Sequence, residues 1–215
     1  MTCKQFAINK ISAALSWLNY QYLNTRYKNV ARPERIIWVD PNSIYYSIEF
    51  SELAKKRLFY IRGLVIGGDW DRTGYTVLRF HRNLFKYLSC KLRDIEPPLN
   101  TSDMIRLDKK YDAGLLKKYK ALYETVCESG FSLPNSRLGI DPFYIGIGRD
   151  GEYFFITGKH RLAIAKAARR KIPAVISFRH ANWQKTRDDY LMNSRASERE
   201  RGKLSETIIN HPDLN

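Results

Sequence analysis

Apolar positions recur at helical spacing in three stretches of this chain, and short apolar runs bounded by turn residues lie between them. Phe6, Ile8, Ile11, Leu15, Leu18 and Tyr22 fall two to four residues apart, which predicts an amphipathic helix from about Gln5 to Tyr27, ended by Pro33. Its aromatics mix with only moderate basic charge, which favours a docked layer over a membrane-surface helix. Arg35-Ile36-Ile37-Trp38-Val39 reads as a strand closed by the turn cluster Asp40-Pro41-Asn42-Ser43. A second strand is expected within Leu58–Ile66, entering Gly67-Gly68-Asp69-Trp70-Asp71. After Tyr75-Thr76-Val77-Leu78 comes a helix from Arg82 to Leu92, then a loop marked by Pro97-Pro98 and Asn100-Thr101-Ser102, with Ser102 as a cap. Leu115, Leu116, Tyr119, Leu122, Tyr123 and Val126 form a helical stripe stopped by Ser129-Gly130. Tyr144–Ile147 and Tyr153–Ile156 are strands joined through the hairpin chemistry of Arg149-Asp150-Gly151. A helix from Lys159 to Arg170 and a strand over Pro173–Phe178 complete the pattern. The succession predicts an α/β (α+β) protein.

Composition narrows the partners. With 44% hydrophobic and 13% aromatic residues, a chain of 215 residues has the means to bury a core. The formal charge of +15 calls for an anionic partner such as a nucleotide, a nucleic acid or a phosphorylated substrate. That charge is uneven: Tyr153–Arg187 holds nine Lys or Arg and no acid, whereas 185–215 is balanced at six against six. Cys3, Cys90 and Cys127 are too scattered for a structural zinc site and predict a reducing, cytoplasmic setting. No apolar run is long enough to span a bilayer, and Asn9, Lys10 and Ser12 make the N-terminus too polar for a secretory signal.

The most specific chemistry lies in Phe155-Ile156-Thr157-Gly158-Lys159-His160-Arg161-Leu162-Ala163-Ile164-Ala165. An apolar strand meets a one-glycine turn, and a helix follows whose first turn carries lysine, histidine and arginine. Glycine permits close backbone approach, and a helix start offers unpaired N–H groups bearing partial positive charge. Thr157, Gly158, Lys159, His160 and Arg161 are therefore the candidate phosphate-binding residues. An ordinary strand-to-helix corner, with Arg161 in a surface ion pair, is the alternative.

Leu116–Gly130, Tyr144–Ile147, Asp150-Gly151, Tyr153–Ile156, the Gly158-Lys159-His160-Arg161 start and Ile172-Pro173-Ala174-Val175 fall in a familiar order. Over about Leu115–Phe178 the chain resembles the N-terminal domain of the ParB and sulfiredoxin superfamily, and Arg35–Val39 with Asp40-Pro41 resembles its opening strand. The resemblance implies a small mixed sheet with flanking helices, to which this chain adds N-terminal and C-terminal helical additions. It divides the chain into an N-terminal helical extension (1–34), a ParB/sulfiredoxin-like domain (35–184) with a basic insertion around 72–110, and a charged tail (185–215). In that superfamily the Gly-x-His-Arg start binds nucleotide phosphates, which implies ATP or another nucleoside tri- or diphosphate with Mg²⁺. Members include CTP-hydrolysing partition proteins, ATP-using sulfiredoxins and a free-serine kinase. Sulfiredoxins place a cysteine between the glycine and the histidine; Lys159 stands there, so sulfinic-acid repair is not expected. Residues 185–215 are too few for the DNA-binding and dimerisation segments of partition proteins.

Gly67-Gly68-Asp69-Trp70-Asp71 is the second constellation, with the only two acids between Leu53 and Arg93. Asp69 and Asp71 are the candidate catalytic residues and Mg²⁺ ligands, or alternatively partners of Arg72 or Arg62 in a tight turn with Trp70 in the core. His180, after the last strand, and His81 are weaker candidates for touching a base or sugar. The leading expectation is a nucleotide-dependent phosphotransferase or NTPase acting on an unidentified hydroxyl-bearing acceptor. The alternatives are a nucleic-acid-binding or nuclease-like protein and a nucleotide-gated interaction protein without turnover. Weak, sequence-indifferent nucleic-acid binding would be carried by Arg72, Arg79, Arg82, Lys166, Arg169, Arg170 and Lys171.

Overall fold

The computed structural model describes residues 3–48, 61–72, 75–77, 82–133, 143–193 and 210–214. Among them are α1 (Cys3–Asn24), β1 (Ile36–Val39), β2 (Ile44–Ile48), β3 (Leu64–Ile66), β4 (Tyr75–Val77), α2 (Arg82–Lys91), α3 (Thr101–Lys110), α4 (Ala113–Ser129), β5 (Phe143–Ile147), β6 (Tyr153–Thr157), α5 (Lys159–Ala168), β7 (Ile172–His180) and α6 (Ala181–Asn193). The expectations for Leu58–Tyr60, Leu78, Arg79 and His81 lie outside the described residues, as do the side chains of Phe6 and Ile8.

The strands form one mixed sheet in the order β1-β7-β5-β6-β2-β4. β7 is its axis. All nine residues of β7 are buried, which explains its nearly continuous apolar run. β5 runs parallel along one side of β7. On the other side β1 pairs antiparallel with Ile172–Val175, and β3 pairs parallel with Phe178–His180. β5 and β6 form the expected hairpin, with Ile147 opposite Tyr153 at its closed end and Tyr144 opposite Thr157 at its open end. Gly151 takes φ +88 in the hairpin loop, and a Cβ there would meet the Trp183 ring at 2.7 Å.

α5 lies between two layers. Leu162 and Ala165 belong to the core against the sheet, with Phe143, Phe155, Ile176 and Trp183. Ala163 and Ile164 belong to a second core built with α2, α3 and α4 around Tyr87, Leu88, Leu107, Tyr111 and Val126. A helix used on two faces is apolar nearly all round, as Leu162–Ala165 are. Local sequence sets the ends of the neighbouring helices. The Asp112 carboxylate accepts the Leu115 N–H at 2.8 Å, and Gly130 (φ 75) ends α4 with its N–H on the Val126 carbonyl. Asn100, not Ser102, caps α3: its side-chain oxygen accepts the Asp103 N–H, while the Ser102 hydroxyl donates to that same oxygen.

The C-terminal helical addition expected from the sequence is α6, whose Trp183, Gln184 and Arg187 are buried. Two elements differ from the pattern-based reading. Ile44–Ile48, beyond the Asp40–Ser43 turn, is a strand (β2) held by distant partners, parallel β6 and antiparallel β4. His211–Leu214 return to the body, where Asp213 and Leu214 are buried. Among the described residues, no helix is long and apolar enough to cross a membrane.

Candidate functional site

β6 delivers the chain to Gly158, which takes φ 101, ψ 31 and starts α5. Gly158 has no side chain to cap the helix, in contrast to Asn100 and Asp112 on α3 and α4. The glycine also sits close against β5: a Cβ would lie 2.9 Å from Phe143 Cδ2 and 3.5 Å from Phe143 Cα. Conformation and space both demand glycine here. Thr157, Gly158, Lys159, His160 and Arg161 are all half-buried, so the first turn is partly open to solvent.

The three side chains of that turn have separate surroundings. His160 is turned onto the helical layer, with Nε2 3.0 Å from the Tyr111 hydroxyl and its ring stacked on Tyr119 at 4.8 Å. Burial, reinforced by Tyr119, pushes the Tyr111 phenol up to about 12, so it stays protonated at neutral pH. Lys159 is held below the usual lysine range, first by burial and then by the charge of Lys110 at the end of α3. The charge of Lys110 is thus felt at Lys159 beside a helix N-terminus, a place that favours negative charge. Arg161 adds a third cation to the same turn.

The Gly67–Asp71 turn follows β3, whose Ile66 pairs with His180 of β7. Asp71 is 1% exposed, and Arg149 of the hairpin loop grips it. The Arg149 backbone N–H donates to Oδ2 at 2.8 Å, Nε lies 3.1 and 2.9 Å from the two oxygens, and a terminal nitrogen donates to Oδ1 at 2.7 Å. That terminal nitrogen also reaches Asp69 Oδ1 at 2.6 Å. Burial alone would raise the Asp71 pKa; the hydrogen bonds from Arg149 and the nearby His180 outweigh it and leave the group below its ordinary value. Each carboxylate oxygen already accepts twice, which fills the lone-pair capacity of Asp71. Among the described residues, no group of three His, Cys, Asp or Glu side chains is placed to hold a metal. Asp71 is therefore a poor Mg²⁺ ligand and, clamped by arginine with a lowered pKa, a poor proton acceptor, whereas Asp69 is exposed and bonds Arg149 through Oδ1.

Trp70 is pinned in the same turn. Its indole N–H donates to the Ile66 carbonyl at 3.2 Å, and its ring meets Phe178 and Phe154 edge-on at 4.9 and 5.3 Å. His180 is buried rather than on the surface. Its Nε2 lies 2.7 Å from the Gly68 carbonyl and its Nδ1 accepts the Asn182 N–H, so both ring nitrogens are engaged. Neither Arg72 nor Arg62 is the partner of the aspartates: Arg72 pairs with Asp150, and Arg62 reaches the Tyr144 hydroxyl at 3.4 Å. Arg149 was hard to find because it lies 78 residues from Asp71 and reads locally as a hairpin-turn residue.

The two constellations are not brought together. Arg149 and its aspartates sit at the closed end of the β5–β6 hairpin, and Gly158 follows its open end. The five residues of β6 separate them, roughly 15 Å at ~3.3 Å per residue. The residues that do join the Gly158 turn are Lys110, Tyr111 and Tyr119. Lys109-Lys110-Tyr111 is the only local hint of them, a basic pair running into an aromatic at a helix end.

The Asp71 geometry sets an expected outcome. Asp71→Asn keeps the shape but removes the charge facing Arg149, and should lower stability by about 1–3 kcal/mol, the cost of losing a hydrogen bond to a charged group. Chemical denaturation checks this. A variant of parental stability that lost turnover at least ~10²-fold would instead restore a catalytic acid to this turn. Compared with family models, with curated proteins and with solved structures, the chain matches none.

Proposed function

We propose that the first turn of α5 binds the phosphates of a nucleoside tri- or diphosphate, and that the protein is a nucleotide-dependent phosphotransferase or NTPase. The observation that carries the binding site is the left-handed Gly158, packed on Phe143 and starting a helix with no side-chain cap, with Lys159 and Arg161 in its first turn and the charge of Lys110 felt at Lys159. An anion there relieves the repulsion between the lysines and meets the N–H groups of the first turn. The residues fit a phosphate chain: Gly158 lets it approach the backbone, Lys159, Lys110 and Arg161 supply charge, and the Tyr111–Tyr119 pair fixes His160 and the helix behind it. The phosphotransfer part of the reading rests on the ParB/sulfiredoxin resemblance. Magnesium, where used, arrives on the nucleotide, because both oxygens of Asp71 are held by Arg149.

The direct experiment is thermal shift and phosphate release with ATP, ADP, CTP and GTP, each with and without Mg²⁺. Stabilisation by at least one nucleotide, together with phosphate release or transfer, is the expected result; no shift with any of the four contradicts the reading. Arg161→Ala should weaken binding by about 1.5–3 kcal/mol, the range for a hydrogen bond to a charged group. Unchanged affinity in calorimetry would return this turn to an ordinary strand-to-helix corner. The Lys159 pKa adds a signature. A bound phosphate favours the charged amine and raises a pKa that burial and Lys110 had lowered. Nucleotide binding at alkaline pH should therefore take up protons, read as a buffer-dependent binding enthalpy.

The nucleic-acid reading gains little from the fold. Of the expected basic residues, Arg72 is paired with Asp150, Lys166 is half-buried with its amine 3.4 Å from the Ile44 carbonyl, and Arg170 donates to the Cys127 carbonyl. Arg82, Arg169 and Lys171 are exposed. Any nucleic-acid affinity should be weak and fall steeply with salt, near −0.9 per duplex phosphate contacted on a log–log plot. Gel shift across salt checks this, and tight binding that survives about 0.2 M salt with no nucleotide affinity would reverse the ranking.

A further inference from the structure

Helix α1 docks by the opposite face from the one its sequence predicts. Ser16 and Leu23 are buried, the Ser16 hydroxyl accepts the Arg62 backbone N–H at 2.9 Å, and the Asn19 amide donates to the Gly63 carbonyl at 3.3 Å. The apolar stripe points outward. Ile11, Leu15, Leu18 and Tyr22 are 61, 43, 63 and 54% exposed, with Trp17 exposed beside them. A helix that buries polar side chains and shows its apolar ones to solvent has a second surface to cover.

We propose that this stripe is an interface between two copies of this chain, packing α1 against α1 of the second copy. The spacing is four, three and four, that of a two-stranded coiled-coil seam, with Leu15 and Tyr22 at one core position and Ile11 and Leu18 at the other. The positions flanking that seam are Ser12, Ala14, Asn19 and Gln21, none of them charged. Two copies of a +15 chain repel over most of their surface, whereas along this stripe the cation the structure places is Arg26, 5.3 Å from the Tyr22 ring at its C-terminal end. The same neutrality disfavours an anionic membrane or an acidic protein, since Lys4 and Lys10 are the only charged residues in Cys3–Asn24. The four seam side chains, each about half exposed, offer roughly 400 Å² per copy, or about 800 Å² in the pair. That is the size of a weak, transient interface and predicts a weak, reversible dimer.

Sedimentation of the full chain between about 1 and 100 μM tests the proposal. The expected result is a concentration-dependent dimer that strengthens as salt screens the general repulsion. The double variant Leu15→Glu/Leu18→Glu should be monomeric and melt near the parent temperature at low concentration, because both side chains are exposed. Leu15→Lys/Leu18→Lys should likewise be monomeric alone, and the two variants should pair when mixed, which a misfolded variant cannot do. A parent chain that stays monomeric throughout the range overturns the proposal, as does a dimer that both variants retain. A monomer whose stripe instead carries it onto anionic phospholipid vesicles also overturns it, and assigns a membrane surface as the occupant.

Discussion

Replacing Asp213 with alanine is expected to cost about 3–5 kcal/mol of stability, the usual consequence of removing one partner of a buried ion pair. Asp213 is fully buried, and its carboxylate accepts from Arg179 Nε and a terminal nitrogen at 2.8 and 2.6 Å and from the Trp183 indole at 3.0 Å. Its backbone carbonyl accepts from Arg187 Nε at 3.0 Å. Alanine would leave two buried guanidinium groups facing an uncharged hole. Against a typical total of about 5–15 kcal/mol, that is a large fraction. The melting temperature should fall by about 10 °C, at about 2–4 °C per kcal/mol for a chain of this size. Calorimetry or denaturant titration reads it directly, and a loss below ~1 kcal/mol would mean that the buried cluster holds nothing together.

The same cluster should weaken in acid, in two steps. Burial alone would raise the Asp213 pKa, but the charge and hydrogen bonds of Arg179, with Arg187 and Trp183, bring it down to about 2. A depressed carboxyl pKa contributes stability that is whole above the unfolded value near ~4 and is lost as pH falls towards the folded one. His211 acts earlier. Its Nδ1 accepts the Asp213 N–H at 3.1 Å and its Nε2 lies 3.0 Å from the Gly151 carbonyl, an arrangement that needs the neutral ring. Burial holds its pKa below the usual histidine value. The unfolded chain therefore binds the proton more readily, and stability should begin to fall below about pH 6.5. Unfolding free energy measured from pH 8 to pH 3 checks both steps. His211→Gln, which keeps a donor and an acceptor, should flatten the first and leave the second.

Gly158→Val is expected to abolish nucleotide binding, the largest functional effect of any single change proposed. A β-branched residue resists φ 101, and its Cβ would lie 2.9 Å from the Phe143 ring and 3.5 Å from the Phe143 backbone. The first turn of α5 must shift to make room, and the phosphate-facing N–H groups shift with it. Sequence alone suggests a change confined to binding. The packing against Phe143 adds a fold cost of about 1–3 kcal/mol for a strained backbone position. Affinity and melting temperature must therefore be read together, with Gly158→Ala as the milder step. Loss of affinity of ~10²-fold or more in a variant that still melts cooperatively is the expected result. A folded valine variant with parental affinity would show that the backbone here does not approach a ligand.

What was legible in the sequence was local. α4 announced itself through its apolar stripe and its Gly130 stop, the β5–β6 hairpin through Asp150-Gly151, and the start of α5 through Gly158. Each of these is encoded within about sixteen consecutive residues. β2 was missed because Ile44–Ile48 alternates weakly and is held by strands far along the chain. The packing of α6 was not legible because its inward side carries Gln184 and Arg187, whose burial makes sense only once Asp213 arrives from the far end. The Asp69 and Asp71 roles depended on Arg149, which no spacing rule connects to them. α1 was located correctly as a helix and turned the wrong way, since apolar spacing marks a face without saying what covers it.

The central proposal is that the start of α5, with Lys159 under the influence of the Lys110 charge, holds a phosphate chain. Calorimetric titration of the parent chain, of Lys159→Ala and of Lys110→Ala with one nucleoside triphosphate tests it most directly. The account predicts measurable binding by the parent, weakened by about 1–3 kcal/mol in each single variant. It also predicts a double variant that loses less than the sum of the two, because the lysines repel each other until the phosphate arrives. Binding that is absent in the parent, or equal in all four proteins, would contradict it.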